Sequence, residues 1–218
     1  MNESLVTING GSVPTLELLF LLTIIALLPS IVVMMTSFTR TIIILSFLRN
    51  ALGIQQTPPN MVLVGISLFL TLFIMNPVIS TINTEAYQPY INKEISDEEA
   101  IQRMKDPIKE FMLKQTELDT LHMFQQLSGT EEVEDPKDLS LVVIIPSFMT
   151  SELKRAFIAG FLLFLPFLLI DIIVSATLMS MGMMMLPPAM ISLPFKILLF
   201  VSVDGWSLLF ESIAKSFR

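Results

Sequence analysis

The chain has 218 residues, 53% of them hydrophobic, and a mean hydropathy of +0.72, which excludes an ordinary soluble domain and indicates a membrane protein. It has no cysteine and one histidine, which excludes disulfides, thiolate metal sites and histidine clusters, so no cofactor or metal is expected. The formal net charge of −7 and the lack of a basic run argue against nucleic acid as a partner.

Four apolar runs divide the chain, and each is long enough to cross a bilayer as a helix. They cover residues 18–35, 61–82, 156–180 and 189–210. Pro29 is expected to kink the first run. A secretory signal needs a basic segment before its apolar core, but the first basic residue is Arg40, so no cleavable signal is expected.

The charges between these runs predict the orientation of the chain. Arg40 and Arg49 lie between the first two runs without acidic neighbours, whereas residues 83–155 hold 15 acidic and 8 basic residues and therefore the whole net charge. By the positive-inside rule, Arg40 and Arg49 are expected to be cytoplasmic-side anchors. The acidic segment and both termini are then expected on the outer face of the membrane.

The acidic segment is predicted to form a small helical domain. Ser96 and Glu99 have capping-box spacing, and Asp106 followed by Pro107 predicts the start of a second helical piece. The helical pattern is expected to continue along this second piece until Ser128 and Gly129 end it. The apolar positions that continue it are Leu118, Leu121, Phe124 and Leu127.

The expected fold class is all-α, with hydrophobic helical hairpins, broken helices and this small extracytoplasmic helical domain. The predicted divisions are 1–82 for the N-terminal hydrophobic helices, 83–150 for the acidic domain and 151–218 for a C-terminal hydrophobic hairpin. The sequence MSMGMMMLPP at residues 179–188 predicts the turn of that hairpin, because it closes a cluster of methionines with two prolines.

Charged residues inside the last two apolar runs need partners, because each costs roughly 2.5 to 3.5 kcal/mol in hydrocarbon. Asp171 lies 12 residues before Met183 and Lys196 lies 13 residues after it. Both are therefore expected at the same height, roughly 18 to 20 Å from the turn, where they would form a buried ion pair that supports assembly. Whether the pair closes within one chain or between copies is left open.

Further charges are possible assembly contacts, although the sequence does not identify their neighbours. They are Glu152, Lys154 and Arg155 at the base of the hairpin, and Asp204 in the last run. The methionine cluster has two interpretations. Its five unbranched side chains within residues 179–185 suit either the filling of a protein core or a soft seal that reshapes around its contents.

Two other functions fit parts of this pattern. Asp171 and Asp204 are candidates for the dyad of an intramembrane aspartyl protease, but LLIDII and SVDGW lack the Gly-x-Gly-Asp pattern, and Lys196 favours an ionised Asp171. A polytopic transporter of small solutes would use the same charges as relay groups, but the two pairs of runs do not resemble an internal repeat. No nucleotide loop or nucleophile with a base is present, so an enzyme is not expected.

Two long segments resemble one known family. They are MMTSFTRTIIILSFLRNALGIQQTPPNMVLVGISLFLTLFIMNP and SELKRAFIAGFLLFLPFLLIDIIVSATLMSMGMMMLPPAMISLPFKILLFVSVDGW. Both resemble the FliP family, the export-gate proteins of flagellar type III secretion, which has injectisome relatives. The resemblance covers nearly the whole chain, and the double proline in MMMLPPAMISLPFK is similar to the flagellar branch.

The resemblance implies a subunit of a helical oligomeric pore in the bacterial cell membrane, at the flagellar basal body. Five copies would assemble with FliQ and FliR, with FlhB and FlhA as further partners. Unfolded flagellar export substrates would cross this pore. The resemblance also maps a flexible channel gasket onto Met183, Met184 and Met185, which accounts for a cluster of soft side chains beside a passage that admits many sequences.

Overall fold

The structure is a computed structural model of the chain, and it describes residues 6–8, 11–13, 15–54, 56–129, 135–183 and 185–217, with side chains from residue 18 onward. Two strands, β1 (Val6–Ile8) and β2 (Gly11–Val13), pair antiparallel and precede the helices. The helices are α1 (Thr15–Met35), α2 (Phe38–Leu52), α3 (Asn60–Ile82), α4 (Gln88–Ile91), α5 (Asp97–Gln115), α6 (Leu118–Leu127), α7 (Leu141–Ser180), α8 (Pro188–Ser202) and α9 (Gly205–Lys215). A π-helical segment, Asn83–Tyr87, joins α3 to α4, and a short 3-10 turn, Pro136–Asp138, precedes α7.

This architecture confirms the all-α prediction. The small β-hairpin was not predicted, because strands of three residues are too short to show an alternating pattern. The predicted caps of the acidic segment are also confirmed in two places. Ser96 Oγ accepts a hydrogen bond of 3.3 Å from the backbone N–H of Glu99, and α6 ends at Leu127 before Gly129, whose φ is +66°.

Helix α7 is the axis of the fold. It runs for 40 residues, and α2, α5, α6 and α8 all pack against it. The centre of the α2–α7 contact is closed by side chains with almost no solvent exposure, including Leu45 and Leu48 from α2 and Ile144 and Phe148 from α7. Most of the remaining apolar surface of the chain is not covered by its own residues, which is typical of a protein surrounded by lipid or by partners.

The lengths of the helices support membrane insertion. Three helical stretches in the described chain are long and apolar enough to cross a bilayer, at 18–35, 60–91 and 141–180. No residue in the apolar window of the first stretch is buried within the chain. Helices α8 and α9 together make a fourth candidate, which bends by 64° at the break between them.

Two predicted boundaries differ from the structure. The third apolar run was predicted to begin at residue 156, and a domain boundary was placed between 150 and 151, but α7 passes through both positions without a break. In this stretch Glu152 and Lys154 form ion pairs with residues of other elements, and Arg155 donates a hydrogen bond to Gln115, as described below. Pro146 and Pro166 are both tolerated inside it.

Another prediction that the structure overturns concerns Asp106 and Pro107. They were predicted to begin a new helix, but α5 is continuous from Asp97 to Gln115 with Pro107 inside it. Proline removes one backbone donor in a helix interior, which is a local loss. The buried side chains of Phe111 and Met112 hold the following turns against the core, so packing outweighs that loss.

The close approach of α2 and α7 gives a test of this packing. A Cβ added at Gly160 of α7 would lie 2.5 Å from Cγ of Phe47, so Gly160→Ala must displace that ring or separate the helices. We expect a loss of about 1 to 3 kcal/mol in the free energy of unfolding in detergent, measured by denaturant titration. Gly65→Ala is the matched control, because nothing lies within 4 Å of its added Cβ. Equal unfolding midpoints for the two variants would contradict the proposed contact.

Candidate functional site: buried ion pairs and a methionine tip

Asp171 on α7 and Lys196 on α8 meet across the C-terminal hairpin. Lys196 Nζ lies 2.6 Å from Asp171 Oδ2, and both residues belong to the same chain. Ser192 Oγ donates a hydrogen bond of 2.5 Å to the other carboxylate oxygen of Asp171. The lysine is buried, whereas about a third of the aspartate side chain is exposed. The arrangement fixes the register of the two hairpin helices at this height.

Lys196 also joins the hairpin to α2. Its Nζ donates a hydrogen bond of 3.1 Å to the backbone carbonyl of Ala51, in the last turn of that helix. Carbonyls in the last turn of a helix have no partner within the helix and carry the negative end of its dipole, so a buried ammonium group is a favourable neighbour. Lys196 therefore links its own helix, α8, to both α7 and α2.

A second buried ion pair joins α2 to α7 about 19 residues closer to the start of α7. Arg40 Nε donates a hydrogen bond of 2.9 Å to Glu152 Oε2, and Arg40 Nη2 donates to Glu152 Oε1. The contact is bidentate, and the exposed fractions of the two residues are 2% and 0%. A planar guanidinium matched to a carboxylate is the strongest geometry for such a pair.

Arg40 gathers further elements around this pair. Its Nη2 donates to Gln115 Oε1 at 3.2 Å, and its Nη1 donates to the backbone carbonyl of Ser216 at 3.1 Å. The guanidinium carbon lies 3.8 Å from the centroid of the Phe217 ring, and Gln115 Nε2 donates to the backbone carbonyl of Phe217 at 3.1 Å. The network therefore ties the ends of α5 and α9 to α2 and α7.

The two predicted cytoplasmic-side anchors have different surroundings. The side chain of Arg40 lies inside the protein, where it neutralises Glu152. Arg49 is half-buried, and its Nη1 donates to Asn60 Oδ1 at 2.5 Å, across the connection from α2 to α3. The orientation derived from these two arginines stays a prediction.

The other predicted assembly charges have different surroundings. Lys154 Nζ forms an exposed ion pair of 2.6 Å with Glu117, which links α7 to the start of α6. Arg155 Nη1 donates to Gln115 Oε1 at 2.9 Å, and no carboxylate in the described chain lies within ion-pair distance of it. Asp204 is exposed at the break between α8 and α9, where its φ of 51° is left-handed.

The tip of the hairpin presents methionines to its surroundings. Met185 is 99% exposed and Met183 is 41% exposed, and Met179 and Met181 in the preceding turn are exposed as well. Met184 lies outside the described residues. The four described methionines therefore do not fill the core of their own chain. Exposed thioethers present a soft apolar surface for a neighbour.

Sequence reasoning did not identify the roles of Gln115, Ser216 and Phe217. Arg40 and Glu152 are 112 positions apart, so no helical spacing or hairpin symmetry connects them. The available signal was chemical. Glu152 is a carboxylate inside a strongly apolar helix, and Arg40 is one of only two basic residues before residue 83, so each needed a partner of the opposite sign.

The fold and the site together define a polytopic, predominantly helical membrane protein whose buried charges are structural and whose hairpin ends in exposed methionines. A family model matches residues 21–213, and it is that of the FliP family. Similar curated proteins include the flagellar biosynthetic protein FliP of Pectobacterium carotovorum subsp. carotovorum, which is 53% identical over 211 residues covering 96% of this chain and 82% of that protein.

Two further relatives are similar over most of their lengths. The flagellar biosynthetic protein FliP of Aquifex aeolicus is 50% identical and covers 96% of this chain and 89% of its own length. The flagellar biosynthetic protein FliP of Bacillus subtilis is 52% identical, and the match covers 93% of this chain and 92% of that protein. The chain belongs to the FliP family. It is therefore a membrane-embedded component of the flagellar export apparatus and not an enzyme.

The two contacts of Lys196 generate a prediction. Lys196→Ala leaves Asp171 without its cation, and Asp171→Ala leaves a buried ammonium group unpaired, so each variant is expected to lose about 3 to 5 kcal/mol of stability, reduced to the extent that Asp171 is exposed. The double exchange Asp171→Lys with Lys196→Asp should restore only part of this loss, because an aspartate cannot donate to the carbonyl of Ala51.

The measurements are the unfolding midpoint in detergent and the recovery of intact complex from membranes. Lys215→Ala is the control, because Lys215 and Glu211 form an exposed ion pair of 2.5 Å whose loss should have little measurable effect. Normal stability and recovery of both single hairpin variants would show that the ion pair does not hold the hairpin.

Proposed function

We propose that this chain is a pore-forming subunit of the flagellar protein export gate. In this proposal about five copies assemble with FliQ and FliR around a channel, FlhB and FlhA are further partners, and unfolded flagellar proteins are the cargo. Membership of the FliP family supports the proposal, because it already assigns the chain to flagellar export. The large uncovered apolar surface of the helices also supports it, since such surface needs lipid or partner subunits.

The observation that carries the proposed role is the methionine tip on a fixed hairpin. Asp171 and Lys196 lock the two arms of the hairpin, whereas the described methionines of the tip are exposed and contribute nothing to the chain's own core. A rigid arm that ends in soft apolar side chains suits a seal. The rigid arm keeps the tip at a fixed position, while the flexible methionine side chains adapt to the surface that contacts them.

A channel for unfolded proteins makes particular demands on its closure. The closed state has to exclude water and ions, which hydrophobic constrictions do by dewetting. The open state has to accept segments of many sequences without leaving hydrogen bonds unmade. Methionine meets both demands because it is apolar, flexible and free of hydrogen-bonding groups that need a partner. We therefore assign the gasket to Met183, Met184 and Met185.

The contacts of Asp171 and Asp204 do not favour the alternative functions. A protease dyad requires two carboxyl groups that share a proton. Asp171 instead pairs with Lys196 and accepts from Ser192, and Asp204 lies at the break between α8 and α9. A proton relay of a transporter would likewise need titratable groups free to exchange partners, whereas Lys196 is held by two acceptors.

The proposal predicts a leak when the tip loses volume. Replacing Met183, Met184 and Met185 together by alanine removes apolar volume without adding charge, so the complex should still assemble while ions pass through the resting gate. Replacement by leucine should leak less, because the volume is kept. The measurements are the conductance of the purified complex in planar bilayers and the growth defect of cells that express the variant.

Met123→Ala is the matched control, because Met123 is about as exposed as Met183, at 43% against 41%, and lies on α6, away from the hairpin tip. It should leave conductance unchanged. A fully assembled alanine variant with the impermeability of the unmodified complex would refute the gasket. Loss of the complex without any leak would assign the cluster to packing instead.

A further inference from the structure

The charges of the C-terminal part pair off almost completely within the chain. Among residues 141–217, all described except Met184, the acids Glu152, Asp171 and Glu211 each have a basic partner, and the bases Lys154, Lys196 and Lys215 each have an acidic one. One charge of each sign is left over. The cation is Arg155, and the anion is Asp204.

Arg155 lies at one end of an apolar groove. The walls of the groove come from α7 and α9, with residues such as Leu162 and Leu209, and its floor comes from α2. Arg40 and Glu152 cancel each other at this end, so Arg155 leaves the groove with one net positive charge. A groove with this composition suits an apolar segment that carries one negative charge.

Asp204 lies at the end of an apolar segment and gives that segment its one negative charge. The outer face of α8 exposes Phe195, Leu198 and Val201 by 54%, 65% and 67%, and none of the three lines the groove of its own chain. The stripe from Phe195 to Asp204 is about 14 Å long, and the α7 wall from Arg155 to Pro166 is about 16 Å long. The stripe therefore matches the groove in length, in apolar character and in charge.

We infer that the groove of one copy binds the outer face of α8 of the next copy, with Asp204 of that copy against Arg155. The contact is head-to-tail, since the donor face and the acceptor groove are different surfaces of the same chain. Repetition of one such contact closes into a ring when its rotation allows closure. Every copy in the ring then has both leftover charges paired, which removes two uncompensated charges from an apolar region.

This inference rests on the proposed function, because it locates the contact between copies in the proposed pore. It also explains the break before α9. Asp204 adopts a left-handed backbone, which aspartate and asparagine tolerate better than most residues, and the resulting bend leaves the carboxylate exposed at the end of the stripe.

Disulfide cross-linking tests the contact directly, because the natural chain has no cysteine. Ala159 lies in the groove beside Arg155, and Ser202 is exposed beside Asp204. Ala159→Cys and Ser202→Cys should be placed on separate, co-expressed full-length chains with tags of different length. Mild oxidation of membranes should then give a mixed dimer. Ser180→Cys, at another exposed serine at the far end of α7, should give no mixed dimer with Ala159→Cys.

Charge substitutions at Asp204 and Arg155 provide a second test of the contact. Asp204→Asn keeps a residue that tolerates the left-handed backbone but removes the charge, so the recovery of the oligomer should fall about tenfold or more while the monomer keeps its unfolding midpoint. Asp204→Glu should retain assembly. Arg155→Asp with Asp204→Arg should recover more oligomer than either single reversal does.

The outcomes separate this contact from the proposed function. Oligomers that form without the Ala159–Ser202 cross-link would overturn the contact and leave the pore proposal standing. Chains that remain monomeric even without substitutions would overturn both. Full assembly of Asp204→Asn, together with an anionic lipid that is retained by the natural complex and lost from Arg155→Gln in native mass spectrometry, would assign the groove to lipid and overturn the contact.

Discussion

A carboxylate without exposed surface is stable in an apolar setting only beside a cation, and in this chain Glu152 depends on Arg40 for that reason. The pair joins α2 to α7. Through Gln115 and the backbone of Ser216 it also holds the ends of α5 and α9. Because hydrogen bonds and ion pairs are directional, this junction sets the positions at which the apolar helices meet, which non-directional hydrophobic burial alone does not specify.

The second buried pair divides the hairpin into a fixed arm and a soft tip. Lys196 ties α8 both to Asp171 on α7 and to the end of α2. Both arms of the hairpin are therefore held against α2, the helix that also carries Arg40. The tip of the hairpin ends in exposed methionines, Met179, Met181, Met183 and Met185. A gate needs both properties, since the position of a seal must be reproducible while its surface adapts to its contents.

Much of this arrangement follows from the sequence, and the remainder has identifiable physical reasons. The apolar runs, the cap at Ser96 and the level of Asp171 with Lys196 depend on local spacing, which a sequence displays directly. The partner of Arg40 could not be predicted, because 112 residues and no repeating pattern separate it from Glu152. The continuity of α5 through Pro107 was missed because the tertiary packing of the following turn outweighs the local preference.

A double-mutant cycle on Arg40 and Glu152 tests most directly whether this junction holds the fold, with unfolding in detergent as the measurement. Arg40→Met and Glu152→Leu should each lower the free energy of unfolding by about 3 to 5 kcal/mol, because each leaves a buried charge alone. The double variant, which buries no charge at this site, should lose clearly less than the sum of the two. Simple additivity of the two losses, or single variants as stable as the natural chain, would contradict the account.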